Sequence, residues 1–237
     1  MSETPETRAL ALEWIDGDMP YSPDFGDHFY CREDGRAECG HVFLAGNGLP
    51  GRWQAGGAFV IGELGFGTGL NFCETWRVWK SVAAPGTLHF ISFELHPMKR
   101  ESIAKALSRW PELDSEGAAL TAAWPDAPEG VIDLQLDAAV RLTVICGDAL
   151  TNLAGGALAF DAWYLDGFAP SRNPAMWSEE ILKAVHDHAR PGGTFATYAA
   201  AGFVRRNLVG AGFAVERRPG FAGKREMLCG TRAGGAQ

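Results

Sequence analysis

A glycine-rich segment is the part of the sequence whose residue types and spacing most directly indicate chemistry. Residues 62–72 read GELGFGTGLNF and lie between an apolar run and a stretch with helical spacing. Glycines allow a sharp turn and a close approach of ligand to backbone, and the first turn of a helix has free N–H groups. The segment therefore predicts a ligand-binding turn between a strand and a helix.

The spacing of the glycines, together with one acid, distinguishes two classes of ligand. The pattern is G-x-G-x-G with Glu63 two residues before Gly65, whereas dinucleotide sites have G-x-G-x-x-G and need no such acid. A carboxylate at Glu63 repels a pyrophosphate but suits the sulfonium and ammonium groups of S-adenosylmethionine. We therefore expect a methyl donor as the ligand, and an NAD-dependent oxidoreductase is the alternative.

Three further acids stand at the ends of predicted strands: Glu94 closes one, and Asp148 and Asp166 follow two others. Strand carboxyl ends line the ligand crevice of a doubly wound sheet, so we expect Glu94 to accept hydrogen bonds from ribose hydroxyls. Asp148 is expected to meet the adenine amino group. Asp166 is expected to orient an acceptor amine and remove its proton, with Phe168 as an aromatic wall. For Asp148 and Asp166, the alternative interpretation is a helix N-cap.

The elements that must position these residues alternate along the chain. Short, continuously apolar strands separated by helices are typical of a parallel sheet covered on both faces. Strands are predicted at 58–64, 88–94, 131–136, 140–146, 159–165, 194–199, 213–217 and 225–228. Helices are predicted at 70–80, 99–110, 113–124, 179–190 and 202–210, with Pro111 ending the second and Pro191-Gly192-Gly193 ending the fourth. The last two strands are expected to form an antiparallel closing pair.

The first 57 residues have a different character, with many turn signals. We expect residues 1–57 to form an irregular extension with small strands at 29–31 and 41–44. This extension is expected to pack on a single domain formed by residues 58–237.

Composition excludes several classes of protein. Of the 237 residues 46% are hydrophobic, including eight Trp and fourteen Phe, which excludes disorder. No apolar run is long enough for a membrane span, and the acidic N-terminus lacks the apolar region of a signal peptide. Five scattered cysteines without a C-x-x-C pair indicate reduced thiols and a cytoplasmic protein. The spacing of the histidines indicates no metal site.

Charge is distributed unevenly around a net of −8. From Ala201 onward seven basic residues stand against two acidic ones, a net of +5, which leaves −13 for the first 200 residues. A basic tail on an acidic body is the pattern of a contact with an anionic partner, and a solvated basic face is the alternative.

Several strings in the sequence resemble one known family. They are residues 42–49 (VFLAGNGL), 62–72, 165–177 (LDGFAPSRNPAMW), 192–198 (GGTFATY), 202–206 (GFVRR) and 223–227 (GKREM). Together they resemble the methyltransferase module of the MnmC-type bacterial enzymes that modify the wobble uridine of tRNA. The resemblance covers nearly the whole chain, and the string at 165–177 is its most specific part.

The resemblance implies a class I Rossmann-like α/β fold, with a mostly parallel sheet, helices on both faces and an antiparallel last strand. It implies methyl transfer from S-adenosylmethionine to 5-aminomethyl-2-thiouridine at the wobble position, giving 5-methylaminomethyl-2-thiouridine. Many family members carry a C-terminal FAD-dependent oxidase, for which 237 residues leave no room. We therefore expect an excised module, or a standalone methyltransferase that relies on a separate FAD-dependent oxidase.

The predicted site has a donor part and an acceptor part. The donor part comprises Glu63, Gly65, Phe66, Gly67, Thr68, Gly69, Asn71, Glu94, Asp148 and Asp166. The acceptor part comprises Phe168, Arg172, Tyr198, Arg205, Arg206, Lys224 and Arg225. Of these, Arg205, Arg206, Lys224 and Arg225 are expected to contact phosphates of the anticodon stem-loop. A methyltransferase acting on a small amine or a protein, and an RNA-binding module without catalysis, are the further alternatives.

Overall fold

A small antiparallel sheet and a short helix begin the part of the chain that the computed structural model describes, residues 10–234. Their bounds are β1 (Glu13–Ile15), β2 (Met19–Ser22), β3 (Asp27–His28) and α1 (Gly35–Glu38). Strand β3 ends at His28 and no strand covers residues 29–31, and a turn of π-helix spans Cys39–Leu44, so the strands predicted at 29–31 and 41–44 are wrong. The apolar run at 41–44 is too short for its period to separate a strand from a buried helical turn.

The central sheet has eight strands. They are β4 (Ala58–Leu64), β5 (Thr87–Glu94), β6 (Val131–Gln135), β7 (Val140–Cys146), β8 (Phe160–Leu165), β9 (Ala189–Thr197), β10 (Phe213–Pro219) and β11 (Glu226–Arg232). The spatial order is β10-β11-β9-β8-β4-β5-β7-β6. Strands β7, β5, β4, β8 and β9 are parallel, and β6 and β11 run antiparallel to their neighbours. The predicted mostly parallel sheet with an antiparallel last strand is confirmed.

Six helices cover the two faces of this sheet. They are α2 (Leu70–Ser81), α3 (Arg100–Leu107), α4 (Asp114–Ala123), α5 (Ala149–Ala154), α6 (Glu179–His188) and α7 (Gly202–Ala211). On β8, Tyr164 belongs to the buried cluster containing α2 and α4, whereas Trp163 and Leu165 belong to the cluster containing α6 and α7. Neighbouring strand residues point to opposite faces, so both faces are buried, as the continuously apolar strands predict.

The junction between α6 and β9 differs from the prediction. Helix α6 ends at His188, and β9 begins at Ala189 instead of Thr194. The register between β8 and β9 shifts after Phe160 pairs with Ala189. A β-bulge of this kind leaves residues out of the ladder, so a strand can contain the Pro191-Gly192-Gly193 string that normally ends one.

The segment before β4 shares the first of the two cores. Val42, Phe43, Leu49 and Trp53 are buried in the same cluster as Ile61 of β4. The division of the chain at residue 57 stays a prediction, and residues 1–9 of the proposed extension lie outside the described residues. Within residues 10–234, no helix is long and apolar enough to cross a membrane.

Candidate active site

The glycine-rich turn joins β4 to α2 and has the backbone conformation that glycine favours. Gly65, Gly67 and Gly69 have φ angles of 86°, 53° and 77°. A Cβ on Gly69 would lie 2.9 Å from Leu120 Cδ2, so no side chain fits there without a shift. At Gly67 a Cβ would meet only Phe29, at 3.5 Å. The turn is therefore packed beneath Gly69 and accessible at Gly67.

The turn borders a cavity of about 670 Å³ at the carboxyl ends of the parallel strands. This volume is within the range of sites for small molecules. Eleven residues predicted for the site line it: Gly65, Phe66, Gly67, Thr68, Asn71, Glu94, Asp148, Asp166, Phe168, Tyr198 and Lys224. Six do not: Glu63, Gly69, Arg172, Arg205, Arg206 and Arg225. Within residues 10–234, no group of three or more His, Cys, Asp or Glu side chains could hold a metal ion.

Glu63 differs from its predicted position facing the cationic donor. Its side chain is buried beneath the turn, where Oε2 accepts a hydrogen bond from Ser92 Oγ at 2.7 Å and Oε1 accepts one from Asn71 Nδ2 at 3.0 Å. Burial raises the pKa of Glu63 well above its usual value. Glu63 is therefore linked to the cavity through the side-chain amide of Asn71.

Asn71 also holds the predicted catalytic carboxylate. Its Nδ2 donates to Asp166 Oδ2 at 2.7 Å, and the Gly167 N–H donates to Asp166 Oδ1 at 2.8 Å. Burial raises the pKa of Asp166 to about 7, although both hydrogen bonds favour the ionised form. A carboxyl group with this pKa gains and loses a proton at neutral pH, which suits a general base.

Glu94 ends β5 and Asp148 follows β7, and both line the part of the cavity predicted to bind the donor. Glu94 accepts the Gly67 N–H at 2.9 Å through Oε2 and the His96 N–H at 2.7 Å through Oε1. Each oxygen has a second lone pair that can accept a hydroxyl proton. Asp148 caps α5 by accepting the Thr151 N–H at 2.8 Å, and it also lines the cavity. The cap and the ligand interpretation of Asp148 are therefore compatible.

The loop after β8, residues 166–173, is predicted to face the acceptor and is called the acceptor loop; the segment before β4 packs against it. The Phe168 ring stacks on Phe25 with centroids 4.4 Å apart and packs edge-to-face with Phe29 at 5.1 Å. Asp27 Oδ2 accepts the Ala169 N–H at 2.9 Å. These three residues of the N-terminal segment were not predicted for the site, because an irregular segment has no periodicity that would indicate which side chains face inward.

A second series of contacts reaches the same loop. The Tyr198 hydroxyl donates to the Gly167 carbonyl at 2.6 Å. The Lys224 ammonium lies 4.2 Å from the centroid of the Tyr198 ring and 2.6 Å from Glu38 Oε1. Lys224, predicted to contact a tRNA phosphate, thus has its ammonium engaged at the cavity, and Glu38 is a site residue that sequence reasoning missed.

The predicted arginines lie outside the cavity and are exposed or half-buried. Arg205 and Arg206 lie in α7, which begins shortly after the carboxyl end of β9. Within the described part of the chain, four of the predicted basic residues have no carboxylate within 4.0 Å: Arg172, Arg205, Arg206 and Arg225. Two other basic residues of the C-terminal part, Arg217 and Arg218, pair with Glu226 and Glu216.

A mostly parallel sheet, a glycine turn after its first parallel strand and acids at the following strand ends define a Rossmann-like methyltransferase. A family model described as S-adenosyl-L-methionine-dependent methyltransferase matches residues 111–233, and the chain belongs to this family. The donor is therefore S-adenosylmethionine, as predicted, and the NAD-dependent alternative is wrong.

Curated relatives carry one shared name, tRNA 5-methylaminomethyl-2-thiouridine biosynthesis bifunctional protein MnmC. The relative from Chromohalobacter salexigens is 45% identical over 236 residues, which is 95% of this chain and 34% of that protein. The relative from Cupriavidus necator is 48% identical over 214 residues, or 88% of this chain and 32% of that protein. The chain thus spans about a third of the length of these relatives.

A solved structure with a similar fold is that of MNMC2 from Aquifex aeolicus. Its TM-score is 0.72 with 20% identity, and the match covers 99% of this chain and 75% of that chain. At this identity the similarity concerns the fold, and it agrees with the predicted Rossmann-like architecture.

Proposed function

We propose that this chain methylates the amine of 5-aminomethyl-2-thiouridine at the wobble position of tRNA, giving 5-methylaminomethyl-2-thiouridine. The observation that carries the proposal is the 45% identity over 95% of the chain to a relative whose name contains that product. The cavity supports it, because Asp166 and the Phe168 ring suit an amine attached to an aromatic base.

S-adenosylmethionine fits the residues of the donor side. Gly67 leaves room for a ligand against the backbone, and Glu94 and Asp148 supply acceptors for ribose hydroxyls and the adenine amino group. We assign these three residues to donor binding. When bound, the donor supplies a methyl group on a sulfonium sulfur, which is a good leaving group.

Asp166 is assigned the proton transfer. A primary amine is mostly protonated at neutral pH, and its nitrogen lone pair is free only after that proton is lost. The ionised Asp166 accepts the proton, so that the nitrogen can form the new N–C bond while the S–C bond breaks and its electron pair stays on sulfur. Asn71 holds the carboxylate in place at 2.7 Å. The remaining acceleration comes from alignment of the amine with the methyl group.

The four arginines without a carboxylate partner among residues 10–234 are assigned to the RNA. Phosphates position an anticodon stem-loop without reading its sequence, and these arginines can bind them. Arg205, Arg206 and Arg225 are therefore proposed phosphate contacts, with Arg172 beside the acceptor loop. We further propose a cytoplasmic location and an FAD-dependent oxidase, fused or separate, as the source of the free amine. The word bifunctional in the relatives' names is consistent with a second activity.

The test incubates the purified chain with methyl-labelled S-adenosylmethionine and tRNA that carries unmethylated 5-aminomethyl-2-thiouridine. The tRNA is then digested and its labelled nucleoside identified. We expect the label in 5-methylaminomethyl-2-thiouridine. A matched tRNA with unmodified uridine at the wobble position is the control and should remain unlabelled.

Three other outcomes would redirect the proposal. Donor binding without label in either tRNA would reject the wobble-uridine substrate and leave a methyltransferase for a small amine or a protein. Equal label in both tRNAs would show that the 5-aminomethyl group is not the acceptor. Binding of tRNA without any donor binding would favour an RNA-binding module without catalysis.

A further inference from the structure

A buried acid and a half-exposed lysine meet beside the acceptor loop without a part in the chemistry described above. Glu38 lies in α1 and is buried, and Lys224 lies in the turn between β10 and β11 with its side chain 39% exposed. Both line the cavity that contains Asp166. The Lys224 ammonium lies over the Tyr198 ring, and the Tyr198 hydroxyl donates to the carbonyl of Gly167, the residue next to Asp166.

Charged and titratable groups reach Asp166 from several elements. Glu63 of β4 contacts it through Asn71, and Tyr198 follows β9. Glu38 and Lys224 approach from α1 and from the β10–β11 turn. The negative charge of Glu38 raises the pKa of Asp166, and the positive charge of Lys224 lowers it. The two partners of one ion pair therefore act on Asp166 with opposite signs.

We propose that Glu38 and Lys224 are positioning residues whose opposed charges set the pH at which Asp166 accepts a proton, and thereby the pH range of methyl transfer. The inference rests on the proposed function, because it assigns the proton transfer to Asp166. The inference can be distinguished from a purely structural role of the pair. A structural pair would change the properties of the enzyme in the same direction whichever partner is removed.

The opposite signs give a test that a structural role does not predict. Glu38→Gln removes a negative charge, so the midpoint of the Asp166 titration should fall by at least about 0.5 pH unit. Lys224→Met keeps the apolar stem but removes a positive charge, so the midpoint should rise by a similar amount. The double variant should titrate close to the wild type. Lys224→Arg preserves the charge and should leave the midpoint in place.

Two measurements follow the titration. Carbon-13 NMR of aspartate-labelled protein, with Asp166→Asn to assign the signal, reports the midpoint without substrate. Single-turnover methyl transfer to 5-aminomethyl-2-thiouridine tRNA between pH 5.5 and 9 reports it in the reaction. NMR shifts of the expected signs in a protein that leaves this tRNA unlabelled would support the inference while rejecting the proposed substrate.

The chain offers a matched control pair. Glu116 is also buried, Lys80 is also about 40% exposed, and the Lys80 ammonium also lies over an aromatic ring, 5.0 Å from the centroid of Trp76. This pair does not line the cavity. Glu116→Gln and Lys80→Met should reduce stability as much as the site variants but leave the midpoint of Asp166 unchanged.

Shifts of the same sign in Glu38→Gln and Lys224→Met, or no shift in either, would overturn the inference. If Glu38→Gln fails to fold, the comparison of Lys224→Met with Lys224→Arg still decides it, because the lysine is half-exposed. Equal midpoints of the Asp166 titration in Lys224→Met and Lys224→Arg would then reject a role for the lysine charge.

Discussion

Replacing Asp166 by asparagine removes the proposed proton acceptor while changing the side chain by one atom. The variant keeps an oxygen for the Gly167 N–H but presents an amide where Asn71 Nδ2 now donates to a carboxylate oxygen. An amide cannot accept the amine proton at neutral pH. Loss of a positioned general base lowers rates by about 10² to 10⁴. We therefore expect methyl transfer at pH 8 to fall by at least about 100-fold, with donor binding changed by less than about threefold.

The same substitution should change how stability depends on pH. Burial raises the pKa of Asp166 from its usual 3.8 to about 7. The folded-state pKa lies above the unfolded one, so the folded state loses stability as the pH rises from about 4 through 7. The full cost would be about 4 kcal/mol, and Asp166 is only partly buried, so solvent screening leaves about 2 kcal/mol. Asp166→Asn should lack this loss.

The assay combines single-turnover methyl transfer between pH 5.5 and 9 with urea unfolding at pH 5 and pH 8. The wild-type rate should rise tenfold per pH unit below 7 and level off above it, whereas the variant rate should be nearly flat. The free energy of unfolding of the variant, relative to the wild type, should be higher at pH 8 than at pH 5. A variant rate within threefold of the wild type at pH 8 would refute the role of Asp166.

The remaining predictions concern the donor side and the basic residues. Gly69→Ala should destabilise the fold by more than about 2 kcal/mol and weaken donor binding, because it adds a 2.9 Å contact with a leucine side chain to the strain of φ 77°. Glu94→Gln should weaken donor binding about tenfold in calorimetry, since one backbone N–H at its two carboxylate oxygens would lose its acceptor. Charge reversal of both Arg205 and Arg206 should weaken tRNA binding and reduce its salt slope by about 1.5.

The glycine prediction and the arginine prediction each have a matched control. Gly192 has the same φ of 77°, but a Cβ added there would meet no atom within 4 Å, so Gly192→Ala should show the strain alone and normal donor binding. Equal losses in both glycine variants would contradict the packing argument. Charge reversal of Arg217 and Arg218, both paired with glutamates, changes the net charge equally. An equal loss of salt dependence there would contradict a specific role for α7.

Local patterns in the sequence predicted much of the fold. The strand and helix around the glycine turn were predicted at 58–64 and 70–80, and the structure has them at Ala58–Leu64 and Leu70–Ser81. Apolar periodicity determines such elements from residues that lie within one or two helical turns of each other in the sequence. Prediction was weaker where tertiary contacts override the local signal, as in the bulged start of β9, which includes a string that normally ends an element.

The short apolar run at 41–44 shows the same limit. Val42, Phe43 and Leu44 are buried against α2 and β9, and a buried face of this kind suits a strand or a helical turn equally. Only the surface against which this run packs determines that it forms a π-helical turn. Phe25 and Phe29, which enclose the acceptor loop, gave no signal because their segment is irregular.

The sequence by itself determined the ligand-facing turn, the strand-end acids Glu94, Asp148 and Asp166, and the class of methyl donor. These features are local, and parallel strands bring their carboxyl ends to one edge of a sheet whatever the details of packing. Tertiary structure alone decided that Glu63 lies beneath the turn, and that Glu38 and Lys224 meet although 186 positions separate them. Such contacts depend on how distant segments pack, which no local periodicity encodes.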